Sequence, residues 1–499
     1  MHYIGALDQG TTSTRFILFD KKGLQLASHQ LEHKQIFVKP GWVEHDPNEI
    51  WENSVETIVK TLEKGGVDPR DMVGIGITNQ RETIIAWEPQ SGKIRYNAIV
   101  WQDLRGEGEI ERLKELGVVD EIQKRSGLVA SPYFSASKIG WLLNNVAGLR
   151  EDAEAGKVVF GTIDAFLLWK LTGGEVVTDV TNASRYMLMN IESLEWDDWL
   201  LKLFKVPKQS LPKIVPSFGE VFGHTTVDGR LPCSVPVAGV LGDQQAALFG
   251  QACFSVGEGK NTFGTGCFLL VNIGQKPRIS SNGLLTTVAY QEAGKKAHYA
   301  LEGSVAVAGS LVQWVRDNLK LVKSAPEVTA LAESVEDCGG VYIVPAFSGL
   351  FAPYWRSDAR GVIVGLTGYA TAAHLCRAAL EATAFQVKDL YEAMVSDGAS
   401  KMELLKADGG LTNSHLLMEF QADLLGIPVV VPRVVETTAL GAAYAAGLTT
   451  NFYSSFEEIA SQWQEALRWE PKMGEDEVKV KMGYWKRAVE RTFGWSEQE

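Results

Sequence analysis

The sequence predicts a mixed α/β protein of two related halves that meet across a hinge. Two observations carry that expectation. The first twenty residues and the stretch from Lys260 to Val271 share one logic: a short apolar strand, a polar tip rich in Gly and Thr, and a second apolar strand. At 499 residues, 45% hydrophobic and 22% charged, the chain has ordinary globular balance but is too long to wrap one core. The echo places a boundary near residue 250, giving halves of 1–250 and 251–499. No low-complexity tract or Gly/Ser linker separates them, so the halves are expected to touch.

Taken in order, Tyr3 to Leu7 reads as a strand, Asp8 to Arg15 as a polar hairpin tip and Phe16 to Phe19 as the return strand. Val73 to Ile77 is a further strand ending at Thr78-Asn79-Gln80-Arg81-Glu82, and Thr83 to Trp87 returns as another. Ser137 to Asn145 carries apolar residues at helical spacing, whereas Leu211 to Pro236 is rich in Pro and Gly and reads as irregular. Val235 to Leu241 is a buried strand leading into Gly242-Asp243-Gln244-Gln245 and an Ala-rich helix. In the second half, Val341 to Pro345 is a strand and Ala373 to Met394 a long helix. Leu404 to Gly410 is a strand stopped by a turn, with a helix from near Asn413, and Glu475 to Phe493 is an amphipathic, charge-laced helix.

Composition narrows the function classes. Lys and Arg total 48 against 61 Asp and Glu, a formal charge of −13, which repels nucleic acid and anionic membrane. A phosphate-bearing ligand must therefore be handled by a local site. The start has no basic segment followed by an apolar run, and the most apolar small-residue stretch, Ala439 to Leu448, is too short to span a bilayer. A cytoplasmic protein without membrane insertion is expected. Cys233, Cys253, Cys267, Cys338 and Cys376 are scattered without a CxxC pair, so neither a disulfide framework nor a zinc site is suggested.

The strand ends carry the chemistry. A tip of Gly, Thr and Ser can turn amides and hydroxyls inward toward polyphosphate oxygens, and two such tips can clasp one nucleotide; either alone is equally a surface turn. No GxxxxGK[ST] and no GxGxxG occurs, which excludes the usual P-loop and Rossmann cradles. Asp8 and Asp243 each close an apolar strand. Either they form Asx turns, or their strands converge and they share a hydrated magnesium ion, one of them also deprotonating an alcohol. Arg81 and Glu82 set five donors beside a carboxylate, which either grips adjacent hydroxyls of a polyol or forms a solvated ion pair. Trp101 and Tyr133 either cover the polyol's carbon edge or pack in a core.

Many segments, in this order, resemble the FGGY carbohydrate kinase family. They are DQGTTSTR (Asp8 to Arg15), ITNQRET (Ile77 to Thr83), VWQDLR (Val100 to Arg105), DVTNASR (Asp179 to Arg185), GDQQAALFG (Gly242 to Gly250), NTFGTGCF (Asn261 to Phe268), LEGS with AGSLVQW (Leu301 to Trp314), and VPAFSGL with APYW (Val344 to Trp355). The family's two signatures are matched by YFSASKIGW (Tyr133 to Trp141) and GVIVGLTGYATAAH (Gly361 to His374). The resemblance covers essentially the whole chain.

It implies two ribonuclease H-like (actin-like ATPase) domains flanking a catalytic cleft, with ATP and Mg2+ as phosphoryl donor and glycerol as acceptor. By position it implies Asp243 as general base near the metal and Asp8 as the other magnesium-associated carboxylate. Arg81, Glu82, Trp101, Tyr133, Asp243, Gln244 and Phe268 match the polyol pocket. Thr11, Thr12, Ser13, Arg15 and Thr265 match phosphate contacts, and Gly309, Gln313 and Gly410 match the wall for the rest of the nucleotide. Family members of this type usually carry Asn near the adenine where this chain has Ser414, so the base contact there is expected to differ.

Members that phosphorylate ketopentoses carry a Gly-Gln-x-His-Gly type segment in place of Asn79-Gln80-Arg81-Glu82, which favours glycerol. Another polyol or a ketose, or an actin-like ATPase that phosphorylates no small molecule, are the competing readings. The family also suggests a homo-oligomer, dimer or tetramer. The stretch Asp228 to Ser234 lacks the Gly/Arg pattern by which some bacterial members bind fructose 1,6-bisphosphate, so no response to that effector is expected. Nor does Trp469 to Val478 resemble the surface by which some members bind a sugar-transport regulatory protein.

Overall fold

The computed structural model describes residues 2–226, 230 and 234–496. The stretch 228–234 lies outside the described residues except for Arg230 and Ser234.

Six strands form the central sheet of the first half, in the spatial order Phe218–His224, Pro236–Gly242, Met72–Asn79, Tyr3–Gln9, Ser13–Phe19 and Gln25–Glu32. The last three are an antiparallel meander, Tyr3–Gln9, Met72–Asn79 and Pro236–Gly242 run parallel, and Phe218–His224 closes the edge antiparallel. The second half repeats this arrangement strand for strand. His298–Val305, Cys267–Gly274 and Gly259–Phe263 form the meander, Leu405–Asp408 and Val429–Pro432 continue parallel, and Glu465–Trp469 is the antiparallel edge, with Leu285–Tyr290 added outside the meander. The echo between the two hairpins thus extends over two whole sheets.

Helices cover the sheets for local reasons. Pro47–Gly65 starts where Asp46 accepts from Asn48 N at 2.8 Å and Pro47 occupies the first turn, and it stops at Gly66, whose φ of 59° suits the left-handed cap. Its Ile50, Trp51, Val55, Ile58 and Leu62 enter the core beneath the first sheet. The helix Thr437–Thr449, from the second half, packs instead on Met72–Asn79, Pro236–Gly242 and the helix Asp243–Gly250 of the first. Glycines make that contact possible: an added Cβ would stand 2.0 Å from Ala442 O at Gly76 and 1.8 Å from Ala246 O at Gly441. The apolar run Ala439 to Leu448 is therefore the buried seam between halves, and among the described residues no helix is long and apolar enough to cross a membrane.

Three local expectations change. Asp8 pairs with Arg15 and Gln9 with Thr14 in the ladder, so the polar octet is mostly strand and the tip is only Gly10 to Thr12. Ile84–Trp87 joins a separate five-stranded sheet, beside Ile94–Ile99 and Val159–Thr162, because side-chain alternation sets a strand but not its partner. Among the described residues, Leu211 to Pro236 is not wholly irregular: it holds the strands Lys213–Val215 and Phe218–His224, the second carrying Gly219 at φ 95° and an irregular register between Phe218 and Gly223. Lys213–Val215 pairs with the earlier strand Val177–Asp179 and Phe218–His224 with the next one, Pro236–Gly242; the Pro and Gly content around them conceals both.

Candidate active site

Parallel register brings three strand ends together. Asp8 pairs with Thr78 and Thr78 with Leu241; Gln9 pairs with Asn79 and Asn79 with Gly242. Asp243, the next residue, begins the helix Asp243–Gly250 about 10 Å across the sheet from Asp8. Asp8 feels the charge of Asp243. Burial, its largest influence, pushes the Asp8 carboxyl above the usual range, and Glu436 and Asp243 push it further, while Arg15 pulls it back. Arg15 Nη2 lies 3.1 Å from Asp8 Oδ2 and 2.6 Å from Glu436 Oε2, so this cation already holds two carboxylates.

Beside Asp243 lies a buried ionic cluster. Arg81 Nη1 and Nη2 donate to the two oxygens of Glu302 at 2.7 and 2.8 Å, Nη1 also donates to Gln245 Oε1 at 3.1 Å, and Nε lies 3.1 Å from Asp243 Oδ1. Glu82 Oε1 accepts from Arg185 Nε at 2.5 Å, and the two Nη atoms of Arg185 reach Glu302 at 3.3 and 3.1 Å. A solvated Arg81–Glu82 pair is thereby ruled out: both are buried, 3.9 Å apart, each with its own partner. Glu82 also takes a φ of 61°, the turn by which the chain passes from one sheet to the other.

Aromatic residues border the cluster. Trp101 Nε1 donates to Thr11 Oγ1 at 2.9 Å, and its ring meets Tyr133 edge to face at 5.4 Å. Lys138, fully buried, donates through Nζ to the carbonyls of Pro132 and Tyr133 at 2.6 and 2.7 Å, and burial lowers its pKa to about 7. Gln244 Oε1 accepts from Lys260 Nζ at 2.5 Å; Lys260 also donates to Thr262 Oγ1 at 2.9 Å, and burial lowers its pKa to about 8.

The second sheet explains how Phe268 and Glu302 arrive here. Lys260, Leu270 and Glu302 are successive cross-strand partners, and so are Thr262, Phe268 and Ser304 two residues along. With a side-chain period of two, both rows share one sheet face. Sequence reasoning singled out neither Arg185, Glu302, Lys260 nor Lys138 as site residues. The available signal was a charged residue inside an otherwise apolar strand, as in His298–Val305.

The side of the two hairpin tips is more open. Gln35 Nε2 donates to Thr11 O at 2.9 Å, His33 N to Thr12 O at 3.1 Å and Gln80 Nε2 to Gly10 O at 3.2 Å, which pins the first tip while the Thr12 side chain stays exposed and Thr11 and Ser13 are half-buried. The second tip, Gly264 to Gly266, is tied to the helix Gly309–Asp317: Ala308 N and Ser310 N donate to Thr265 O at 3.0 and 3.1 Å, and Gly309 N to Gly264 O at 3.0 Å. A Cβ at Gly309 would stand 2.7 Å from Gly264 O, so glycine permits this approach. Thr265 and Gln313 are exposed, as is Gly410, beside Gly409, which packs on Phe263. Ser414 is buried and caps the helix His415–Leu425, accepting from Leu417 N at 3.4 Å, whereas Asn413 is exposed with Nδ2 on Gly410 O.

Two sheets of matching topology, each carrying a Gly/Thr hairpin tip, define the actin-like ATPase class of two-domain proteins. The comparisons narrow the class. The model of the FGGY carbohydrate kinase N-terminal domain matches residues 3–250, and that of the C-terminal domain matches residues 259–450. The chain belongs to the FGGY family of carbohydrate kinases. It is 53% identical over 501 residues to a glycerol kinase of Pseudarthrobacter chlorophenolicus, covering 100% of this chain and 99% of that one. It is 55% identical over 499 residues to a glycerol kinase of Chloroflexus aurantiacus, covering 99% of each. Among solved structures it resembles Plasmodium falciparum glycerol kinase with ADP, at a TM-score of 0.92 and 39% identity over 99% of this chain and 98% of that one. A xylulose kinase from Lactobacillus acidophilus shares the fold, with a TM-score of 0.89 and 23% identity over 98% of each chain.

Proposed function

We propose that this chain transfers the γ-phosphoryl group of ATP to a terminal hydroxyl of glycerol, releasing ADP and sn-glycerol 3-phosphate. The observation that carries this reading is the placement of Arg81 and Glu82, buried and separately partnered, beside Asp243 where the two sheets meet. Full-length identity of 53% and 55% to two glycerol kinases supports the choice of substrate.

In this reading Arg81 and Glu82 take two vicinal hydroxyls, one by donation and one by acceptance, while Gln244, Trp101, Tyr133 and Phe268 border the carbon chain. The third hydroxyl is left toward Asp243, which accepts its proton as the oxygen attacks the γ-phosphorus. Catalysis rests on alignment and electrostatic stabilisation, since phosphoryl transfer needs little covalent help. Thr11, Thr12, Ser13 and Thr265 offer hydroxyls and amides to the phosphates, with Arg15 beside them. Gly309, Gln313 and Gly410 border the rest of the nucleotide.

Asp8 and Asp243 fit a magnesium ion as hard oxygen donors: Asp8 feels the charges of Glu436 and Asp243, with Arg15 bridging it to Glu436. Among the described residues no three His, Cys, Asp or Glu side chains gather as a metal cage, which suits magnesium held by one or two carboxylates with phosphate oxygens and water. When bound, the ion would neutralise charge on the phosphates. One hairpin tip belongs to each of the proposed domains 1–250 and 251–499, whose closure would exclude water.

A coupled ADP-release assay over glycerol, dihydroxyacetone, longer polyols and ketopentoses tests the reading, with the phosphorylated product identified. Glycerol-dependent ADP release yielding glycerol 3-phosphate is the expected outcome; ATP hydrolysis indifferent to every polyol would overturn it.

A further inference from the structure

We infer that Glu302 and Lys260 are positioning residues that impose the hydroxyl pattern of the polyol pocket from the opposite half of the molecule. The inference rests on the proposed kinase reading and deepens it. The pocket side chains Arg81, Glu82 and Gln244 belong to the first half, yet Arg81 and Gln244 are both held by residues of one face of the second sheet.

The donor count shows what this holding does. An arginine has four Nη hydrogens and one on Nε. Glu302 and Gln245 take three of the Nη hydrogens, which fixes the guanidinium plane and leaves one on Nη2 for a ligand. Arg185 takes Oε1 of Glu82, leaving Oε2 as the acceptor on offer. Lys260 takes Oε1 of Gln244, so the amide must present its Nε2 donors outward. One donor, one acceptor and one further amide donor are thereby set before any ligand arrives.

Charge decides what loss of Glu302 would bring. Arg81 would keep Asp243 as its nearest carboxylate, at 3.1 Å from Nε. The guanidinium would turn toward Asp243, withdrawing its donor from the pocket and burdening the proposed base. A buried ion pair kept for stability alone is a weak device, since desolvation offsets much of the attraction. Its placement, bidentate on an arginine that also touches Asp243, is what a specificity role requires.

The test varies glycerol and ATP independently in steady-state kinetics of the full chain, for wild type, Glu302→Gln, Glu302→Asp and Lys260→Met, with thermal melting in the presence and absence of glycerol. For Glu302→Gln, the KM for glycerol should rise about 30-fold and kcat fall about tenfold, with the KM for ATP within about twofold of wild type. Glu302→Asp, which keeps the charge but is one methylene shorter, should recover part of the loss. Lys260→Met should raise the KM for glycerol about fivefold and shrink the rise in melting temperature that glycerol causes.

An unchanged glycerol KM, or equal increases in both KM values, would overturn the inference. If Glu302→Gln does not fold, Glu302→Asp and Lys260→Met decide it by the same split. A wild type whose ADP release ignores glycerol would instead sink the proposed function.

Discussion

The two sides of the proposed active site are built by opposite rules. On the proposed polyol side Arg81, Glu82, Arg185 and Glu302 are at most 2% exposed and satisfy one another before any ligand binds. On the proposed phosphate side Thr12, Thr265, Gln313 and Gly410 are exposed, and what holds the tips is their backbone. A neutral triol brings no charge, so its site must be fixed in advance by groups that cannot move cheaply. A polyphosphate brings several charges and an ion with them, so its site can leave amides and hydroxyls facing water until the ligand arrives. Rigidity thus sits where discrimination is needed, and openness where attraction is already strong.

Asp243 stands at the junction of the two sides, and its substitution should have the largest effect. Asp243→Asn is expected to lower turnover by more than about 10⁴-fold, beyond a general base alone, because it also disturbs the carboxylates around the proposed metal. ADP affinity measured by calorimetry should stay within a few-fold; near-normal turnover would remove Asp243 from the centre of the comparison.

Lys138 sharpens the contrast through pH. Its ammonium is buried under the Tyr133 loop and its pKa is lowered to about 7, while the unfolded chain holds that proton to about 10.4. The folded state therefore binds fewer protons than the unfolded state between these values. Lys138 should make stability rise with pH across that window, by at most about 1.4 kcal/mol per pH unit, and the gain should vanish as pH falls toward 7. Urea titrations of wild type and Lys138→Met from pH 6 to 10 check this. Parallel curves would mean that Lys138 does not titrate in the window.

The smallest effect is expected on the open side. Thr12→Ala removes an exposed hydroxyl while the backbone bond from His33 N to Thr12 O remains. Stability should change by less than about 0.5 kcal/mol and the KM for ATP by less than about tenfold. A melting temperature that collapses in this variant would show the phosphate tip to be as internally committed as the polyol wall.

Much of the architecture was legible because it is local. The strand, tip, strand units at Asp8 to Arg15 and Lys260 to Val271 announce themselves by alternation and by Gly and Thr, and Asp8 and Asp243 stand out as acids at the ends of apolar runs. Other parts failed where the deciding neighbour is remote. Ile84–Trp87 reads as a strand but gives no sign of its partner Val159–Thr162, which lies far along the chain; Phe218–His224, by contrast, pairs with the next strand, Pro236–Gly242, and was hidden by the Pro and Gly around it. The Arg81 and Glu82 types suggested a polyol grip, yet the same two residues fitted a surface ion pair until burial excluded it.

By itself, the sequence determined which strands end in polar Gly/Thr tips, that the pattern occurs twice, and which acids close those strands, since each follows from residues within a few positions of one another. Only the tertiary structure decided that Arg81 is held by Glu302, 221 residues away, Glu82 by Arg185, 103 away, and Gln244 by Lys260 across the seam. The Arg81–Glu302 and Gln244–Lys260 pairings depend on how two separately built sheets are pressed together by the Ala and Gly seam of Thr437–Thr449. Periodicity along a chain carries no record of which face of one sheet will meet the strand ends of the other.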